Sequence, residues 1–328
     1  MTESKMQEGR PPAPPTVEPI EERLIVAIAS SALFDLRESD RIFREQGAQA
    51  YRDYQQAHLH TPLGKGIAFP FIRRFLGFNQ RFPAQRPVEV VLLSRNSVET
   101  GQRVFESINH HGLDIRRAAF LEGNSPYPYI GAFQAALFLT ANEADVLSAT
   151  GEGYPAGLVM HSTVEDDLDD GALRVAFDFD GVIADDESES MFQQGLAAFE
   201  QYETDRVDEP HRPGPLAPLF RKLAMLQQLE AQAEADDPGY ERMLRTAIVT
   251  ARRAPTHNRL VTTLKSWGVS ANETFLLGGI EKHRVLETLR PHIFFDDNTR
   301  HLQSPAGDLP MVHVPFGVAN QSPPSSKS

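Results

Sequence analysis

Short apolar runs alternate with longer amphipathic stretches along most of the 328-residue chain. The short runs are typical of buried strands, whereas the longer stretches repeat apolar side chains at helical spacing. The predicted strands are Leu24–Ala29, Val88–Leu93, Ala136–Leu139, Arg174–Phe177, Thr246–Val249, Thr274–Leu277 and Ile293–Phe295. The predicted helices are Arg41–Gln56, Val98–His110, Gln193–Tyr202, Pro218–Glu234, Thr256–Trp267 and Lys282–Leu289. This alternation predicts an α/β fold with a doubly wound parallel sheet covered by helices.

The second half of the pattern repeats the first. Glu38–Gly47 resembles Glu187–Gly195, and an offset of 148 then relates Gln46–Gly47 to Gln194–Gly195, Tyr54 to Tyr202, Gly66 to Gly214 and Pro70 to Pro218. Beyond an acidic insertion the offset becomes 156 and relates Ser94 to Thr250, Gly112 to Gly268, Gly123 to Gly279 and Phe138 to Phe294. A constant offset across glycine, proline and aromatic positions indicates two tandem related copies. Two copies are too few for a solenoid, so we expect a pseudo-symmetric pair of domains.

The repeat and the flanking segments set the expected domain boundaries. Residues 1–20 and 321–328 are polar and rich in proline or serine, which predicts a disordered leader and a disordered tail. We place the first domain at 21–150 and the second at 165–320, with a connection near 151–172.

Composition excludes several classes of function. The sequence contains no cysteine, which excludes disulfides, thiolate catalysis and zinc–thiolate sites. The net charge of -13 predicts an acidic surface that repels nucleic-acid backbones and anionic membranes. The apolar runs are too short to span a bilayer, and the N-terminal segment lacks the apolar stretch of a signal peptide. We expect a soluble, cytoplasmic protein that acts on a small molecule and binds neither nucleic acid nor membrane.

Two carboxylates follow the predicted strand at Arg174–Phe177. Asp178 and Asp180 are two residues apart, so their side chains share a face of an extended chain, and Gly181 allows the chain to turn. Open α/β sheets bind ligands at this end of their strands. Carboxylates so close repel each other unless a cation lies between them, and Mg²⁺ prefers oxygen ligands of this kind. The sequence therefore predicts a magnesium site here.

Further polar residues follow later strands. Thr250 comes after one strand, Lys282 lies just past another, and Asp296 and Asp297 end a third. A carboxylate nucleophile, a second acid, a hydroxyl, an ammonium group and Mg²⁺ are together what phosphoryl transfer requires. Each residue alone has a structural explanation, as a turn, a helix cap or a surface lysine. Their common order after apolar strands favours a phosphoryl-transfer site.

These motifs resemble a known superfamily and a family within it. VAFDFDGVIADDESE, AIVTAR, Lys282 and RPHIFFDD are similar to the four motifs of the haloacid-dehalogenase (HAD) superfamily. SINHHGLDI, EGNSP, LKSWGV and RPHIFFDD resemble the cytosolic 5′-nucleotidase I family, with similarity from about Leu24 to Asn320. The resemblance implies an HAD-like fold with a helical cap at about 186–245. It also implies hydrolysis of nucleoside 5′-monophosphates, AMP first, to nucleoside and phosphate with Mg²⁺.

Carried over by position, the resemblance assigns a role to each motif residue. Asp178 is the implied nucleophile, which forms an aspartyl-phosphate, and Asp180 is the implied general acid and base. Thr250 would hold the phosphoryl group and Lys282 would neutralise it. The implied metal ligands are Asp178, Asp180, Asp296 and Asp297.

The first copy lacks most of this chemistry. We expect the strand-end aspartate to survive in the first copy as Asp35, but Arg37 replaces the second acid. The other positions are taken by Ser94 for the threonine, Pro126 for the lysine, and Thr140 and Ala141 for the aspartate pair. We predict that residues 21–150 are a degenerate copy that supports the active one and lines its nucleoside pocket or an effector site.

Two other functions stay open at this stage. One is an HAD phosphatase or phosphotransferase for another small phosphate monoester, such as a sugar phosphate, because such enzymes share the core residues. The other is a nucleotide-binding regulator without activity, which would be expected to have a damaged motif. The sequence leaves open the base and sugar preference, any effector and whether the chain forms a homo-oligomer.

Overall fold

A computed structural model describes residues 23–160, 162, 166–192, 194–302, 309–317 and 320. The predicted leader at 1–20 and tail at 321–328 lie outside these residues. Among the helices of the described ranges, none combines the length and the apolar character that crossing a membrane requires.

Strands and helices alternate through the described part of the chain. The strands are β1 (Leu24–Ile28), β2 (Val88–Ser94), β3 (Arg117–Phe120), β4 (Leu137–Thr140), β5 (Ala156–Val159), β6 (Leu173–Phe177), β7 (Leu244–Thr250), β8 (Glu273–Leu276), β9 (Ile293–Asp296) and β10 (Met311–His313). The helices are α1 (Ser30–Leu33), α2 (Arg37–Ala57), α3 (Phe69–Arg81), α4 (Val98–His110), α5 (Glu143–Gly151), α6 (Glu187–Phe192), α7 (Leu196–Asp205), α8 (Ala217–Asp236), α9 (His257–Trp267), α10 (Lys282–Leu289) and α11 (Thr299–Leu302).

Every predicted strand and helix is present; α4 and α10 have the predicted ends, and the ends of the others are shifted. The start of α2 shifts most, to Arg37 instead of Arg41. The sequence prediction missed the strands β3, β5 and β10 and the helices α1, α3, α5, α6 and α11. Most of the missed elements are only three to six residues long, too short for periodicity to be read. The exceptions are α3, of 13 residues, and α5, of 9 residues. In α3 the apolar and aromatic residues obscure the polar face, although Pro70 in its first turn is a helix-start signal.

One sheet contains all ten strands, in the order β3-β2-β1-β4-β5-β10-β9-β6-β7-β8. Neighbouring strands are parallel except β5 and β10, which pair antiparallel at the centre. We call β1–β5 with their helices the first half and β6–β10 with theirs the second half. Counted within each half, the strand order is the same, 3-2-1-4-5 from the outer edge inward. The structure is thus a mixed α/β fold around one mostly parallel sheet.

Helices cover both faces of this sheet. Side chains alternate between the faces of a strand, so Leu24, Val26 and Ile28 of β1 join one core while Ile25 and Ala27 join another. The first core is continuous across both halves and receives side chains from α3, α4, α8 and α9. The opposite face carries two separate cores, one under α5 and one under α10 and α11. The shared core therefore joins the halves on one face only.

Helix α8 has a different role from its neighbours in the segment 186–245. It buries Leu219, Phe220 and Leu223 in the shared core, at a spacing that places them on one helical face. It therefore covers the sheet. The shorter helices α6 and α7 pack on each other, and α6 contacts the turn that follows β6. Ser188 of α6 and Glu203 of α7 both contact Arg252, which lies just after β7.

Candidate active site

The predicted site residues lie where strands of the second half end. Asp178 directly follows β6, Thr250 is the last residue of β7, and Asp296 is the last residue of β9. Lys282 begins α10, in the connection between β8 and β9. Because β6, β7, β8 and β9 are parallel, their carboxyl ends meet at one edge of the sheet. Topology alone therefore brings these residues together.

A buried ammonium group lies between two carboxylates at this edge. The Nζ of Lys282 is 2.6 Å from Oδ2 of Asp178 and 2.7 Å from Oδ2 of Asp296. All three residues are buried. Burial alone would lower the pKa of Lys282, but attraction to Asp178 and Asp296 outweighs it and holds that pKa above its usual range. The lysine thus stays charged and fixes the distance between the two acids.

Asp178 has the least favourable environment for its charge among these three residues. Burial raises the pKa of Asp178 to about 6; Lys282 opposes the rise and the nearby charge of Asp296 adds to it. One oxygen, Oδ1, accepts a hydrogen bond from the backbone N–H of Phe179 at 2.7 Å. The other oxygen contacts Lys282. The side chain is therefore held in place by both of its oxygens.

The pKa values of the neighbouring aspartates Asp296 and Asp297 shift in opposite directions. Burial raises the pKa of Asp296, but Lys282 and His301 outweigh it and hold that pKa below its usual range. Its Oδ1 also accepts the N–H of Asn298 at 2.8 Å. Burial raises the pKa of Asp297 to about 9, and the charges of Asp178 and Asp296 add to the rise. The charge of Asp296 is thus stabilised by Lys282 and His301, whereas the charge of Asp297 is destabilised by the nearby carboxylates.

Gly181 lets the turn after β6 lie directly against Asp297. A Cβ at position 181 would overlap the Asp297 carboxylate, and φ is +74° there, a value that side-chain-bearing residues rarely adopt. The same turn carries Asp178 and Asp180. The DxDG sequence therefore folds so that its backbone meets the second acidic segment.

Thr250 is buried and organises the turn after β7. Its Oγ1 accepts the backbone N–H of Arg252 at 3.3 Å, and its carbonyl accepts the N–H of Leu277 at 3.0 Å. The hydroxyl thus lies at the same sheet edge as Asp178.

Asp180 is held by a partner that the sequence analysis did not single out. Its two carboxylate oxygens accept from Nε and Nη2 of Arg252 at 2.8 and 2.6 Å. The side chain of Arg252 is 1% exposed. The available signal was the AIVTAR string itself, since residues 250 and 252 share a face if the chain stays extended.

Three described side chains form a cluster that could hold a metal ion. Asp178, Asp296 and His301 each offer one ligand atom, and these atoms lie within 4.8 Å of one another. His301 was not predicted; it is close because α11 starts three residues after β9. Of the four predicted metal ligands, Asp178 and Asp296 belong to this cluster, Asp297 lies beside it, and the side chain of Asp180 is turned to Arg252.

Backbone hydrogen bonds identify the matching positions in the first half. The N–H of Ala29 donates to a carbonyl of β4 at 2.8 Å, as the N–H of Asp178 donates to one of β9 at 2.8 Å. Asp35 lies farther along, and its N–H donates to Gly64. The prediction that Asp35 stands at the nucleophile position is therefore wrong, because β1 ends at Ile28 and Ala29 follows it.

Two further strand ends of the first half form turn hydrogen bonds like those of the second half. Ser94 Oγ accepts the N–H two residues later at 3.1 Å, as Thr250 does. Thr140 Oγ1 accepts the N–H of Asn142 at 3.1 Å, in the same way that Asp296 accepts the N–H two residues later. The first half thus keeps the backbone frame without its carboxylates.

The fold and the site define a class: an α/β protein with a lysine-bridged acidic centre at the carboxyl edge of a parallel sheet. A family model described as 5′-nucleotidase matches residues 16–321. The chain belongs to the 5′-nucleotidase family. Human cytosolic 5′-nucleotidase 1B is similar, with 32% identity over 287 residues that cover 85% of this chain and 47% of that protein. The chain therefore spans about half the length of this curated relative. No solved structure matches the chain significantly.

Proposed function

We propose that the chain is a Mg²⁺-dependent 5′-nucleotidase that hydrolyses nucleoside 5′-monophosphates, AMP first, to nucleoside and phosphate. The observation that carries the proposal is Lys282, which joins Asp178 and Asp296 at 2.6 and 2.7 Å at the sheet edge. The name of the human relative, a cytosolic 5′-nucleotidase, supports the substrate class and a location in the cytoplasm.

Each site residue has a step in the proposed reaction. A carboxylate oxygen of Asp178 attacks phosphorus while the bond to the 5′ oxygen breaks, which gives an aspartyl-phosphate. Asp180 donates a proton to the leaving oxygen and then takes one from the water that hydrolyses the intermediate. Thr250 and Lys282 stabilise the charge on the phosphoryl oxygens. Phosphate leaves, and Asp178 is regenerated.

The donor set fits Mg²⁺. Mg²⁺ prefers oxygen ligands, which Asp178, the main chain of Asp180, and Asp296 or Asp297 supply. The raised pKa values of Asp178 and Asp297 reflect crowded negative charge that a divalent cation would relieve. Bound there, the ion would neutralise charge on the phosphoryl oxygens. Asp296 belongs to the cluster with Asp178 and His301, and Asp297 lies beside it, so either aspartate could complete the set.

The chain organisation that we propose is two tandem HAD-like copies, at 21–150 and 165–320, of which only the second is catalytic. The shared strand order 3-2-1-4-5 and the matching turn hydrogen bonds support it. So do two isolated bridges at equivalent places, Phe34 with Lys65 and Ala184 with Pro213. The degenerate copy contributes half of the continuous core.

Helices α6 and α7, within 186–245, are the proposed cap. Helix α6 contacts the turn that carries the two proposed catalytic aspartates, and α7 packs on α6. A cap over this turn would exclude water and help to recognise the nucleoside. Oligomeric state stays a prediction to be tested.

A panel of phosphate monoesters tests the proposal. Released phosphate is measured for nucleoside 5′-monophosphates and sugar phosphates, with and without Mg²⁺, and Asp178→Asn serves as the blank. We expect the highest kcat/KM for a nucleoside 5′-monophosphate and activity only with the metal. A sugar phosphate as the best substrate would favour the alternative phosphatase, and turnover by the blank would refute the assignment of the nucleophile.

A further inference from the structure

Arg252 joins the proposed general acid to the proposed cap. Its guanidinium donates two hydrogen bonds to Asp180, at 2.8 and 2.6 Å. It also donates to Ser188 Oγ of α6 at 3.0 Å, lies 3.0 Å from Nε2 of His211, and forms an ion pair with Glu203 of α7. One side chain of the core therefore contacts the catalytic turn and three residues of segment 186–245.

This guanidinium has little freedom to move. Its carbon lies 5.2 Å from the ring centroid of Phe179 and 5.4 Å from that of Phe199. Burial would lower the pKa of Arg252, but Asp180 and Glu203 outweigh it and raise that pKa. A planar guanidinium fixed in this way presents its donors in one plane, which a lysine cannot do. The orientation of the Asp180 carboxylate is therefore set by the guanidinium of Arg252, which is itself held in a fixed position.

Residues of the segment 186–245 hold Arg252 in place. Glu203 is buried between Arg252 and Arg259, whose Nη1 lies 3.0 Å from it. Burial raises the pKa of Glu203, but hydrogen bonding by His211 and the charge of Arg252 outweigh it and hold that pKa below its usual range. Ser188 donates to the same carboxylate at 2.7 Å. Movement of α6 and α7 would remove these partners from Arg252 together.

The first half provides an internal comparison. Asn96 occupies the position that matches Arg252, and its Oδ1 accepts a hydrogen bond from the Tyr51 hydroxyl at 3.0 Å. That half also lacks a carboxylate at the position of Asp178, where Ala29 stands. The arginine is thus found in the half that has the catalytic acids.

We propose that Arg252 is the positioning residue for Asp180: it holds the general acid in the orientation for proton transfer to the leaving oxygen, and α6 and α7 hold Arg252. This inference rests on the proposed function. In this role Arg252 acts on Asp180 and not directly on the substrate. Its loss should therefore affect proton donation far more than substrate binding or attack by Asp178.

Two substrates separate these effects. AMP leaves as an alkoxide that needs a proton, whereas an AMP analogue with sulfur at the bridging 5′ position leaves as a thiolate that does not. General acid catalysis contributes roughly 10²–10⁴-fold, so Arg252→Lys should lower kcat for AMP by about 10-fold or more. We expect KM for AMP and kcat for the analogue to change by less than about 3-fold, because neither depends on the proton donor.

A milder variant and a matched control complete the design. Ser188→Ala removes one cap-side partner of Arg252 and should reduce the AMP rate selectively but less, which keeps the test decisive if Arg252→Lys does not fold. Arg253→Ala breaks an exposed core-to-cap ion pair with Glu200, 2.7 Å long, that does not include Asp180. Any loss in this control should be equal for the two substrates.

The outcomes distinguish this inference from the proposed function. Equal losses on AMP and the analogue in both Arg252→Lys and Ser188→Ala, or no loss in either, would overturn the positioning role. A wild-type protein that releases phosphate from neither substrate would instead refute the proposed function.

Discussion

The two halves of the sheet present different chemistry at the same edge. In the second half the strand ends carry Asp178, Thr250 and Asp296. At the matching positions of the first half stand Ala29, Ser94 and Thr140. Strand order and turn hydrogen bonds are alike in the two halves, so the backbone frame does not by itself create the site. The charged side chains do, and they are concentrated in one half.

The two halves also differ in the space between the strand ends and the helices that follow the first strand of each half, which are α2 in the first half and α6 and α7 in the second. In the second half it is filled by Arg252 and Phe199, both buried. In the first half a cavity of about 1010 Å³ lies beside α2, lined in part by Tyr51, Asn96 and Phe120. The same strand order is therefore compatible with a packed ionic network in the second half and an open cavity in the first half. The following predictions test whether function follows this difference.

The largest expected effect comes from substitution of Asp178, the proposed nucleophile. Asp178→Asn should lower turnover of a nucleoside monophosphate by roughly 10⁴-fold or more, because losing a covalent nucleophile typically removes most of the catalysis. Asp35→Asn, in the first half, should leave turnover within about 2-fold, since Asp35 contacts the exposed Arg37 and lies away from the strand end. Steady-state phosphate release measures both. Strong inactivation by Asp35→Asn would contradict the division between the halves.

The next effect concerns the connection between the halves. Asp166 is 1% exposed in its side chain and contacts Arg73 and Arg74 of α3 at 2.9 and 2.6 Å. Asp166→Asn should lower the free energy of unfolding by roughly 3–5 kcal/mol, because it leaves two guanidinium groups without their carboxylate. Chemical denaturation measures it. Asp167→Asn is the control, since its side chain is exposed. Equal effects of the two substitutions would contradict a stabilising role for the ion pairs of Asp166 with Arg73 and Arg74.

A smaller effect is expected from the matched hydroxyls. Thr250→Ala should lower kcat about 10–100-fold, because it removes a donor to the phosphoryl group. Ser94→Ala removes the equivalent hydroxyl of the first half and should leave kcat unchanged. Thr250→Ser should restore much of the rate. Comparable losses from the two alanine variants would indicate that both halves take part in catalysis.

The last effect is a pH dependence of stability at the contact between the halves, which is small for each pH unit. Burial lowers the pKa of His292 to about 3, and the charges of Arg74 and Arg174 add to the decrease. Below pH 6.5 the unfolded chain binds a proton that the folded chain does not. Stability should therefore fall by roughly 1.4 kcal/mol per pH unit between about 6.5 and 3 from this residue. Denaturation of His292→Gln across this range should show a shallower slope; an unchanged slope would contradict the assignment.

The site residues at the ends of strands could be predicted from the sequence. The site residues that depend on contacts between distant segments could not. Asp178, Lys282 and Asp296 were predictable because parallel strands place their ends at one edge whatever the loops do. Arg252 and His301 were not, because their importance depends on where α7 and α11 pack. Asp35 was misplaced by six residues, because it was matched to Asp178 as the first aspartate after the strand. The offset of 149 that relates Glu38 to Glu187 relates Ala29, and not Asp35, to Asp178.

The joining of two predicted domains into one sheet was also not predictable from the pattern. The contact depends on β5 and β10, which are only four and three residues long. Such strands carry no readable alternation. Their antiparallel pairing, Val159 with Val312, nevertheless joins the strands of the two halves into one sheet.

Locating the covalent intermediate tests the central claim most directly. In a single turnover with Mg²⁺ and a nucleoside monophosphate, the acid-quenched protein is digested and the phosphorylated peptide is found by mass spectrometry. We predict one acid-stable, alkali-labile acyl phosphate on Asp178, in the second half. A phosphoryl group on any residue of the first half, or turnover with no covalent intermediate, would contradict the account.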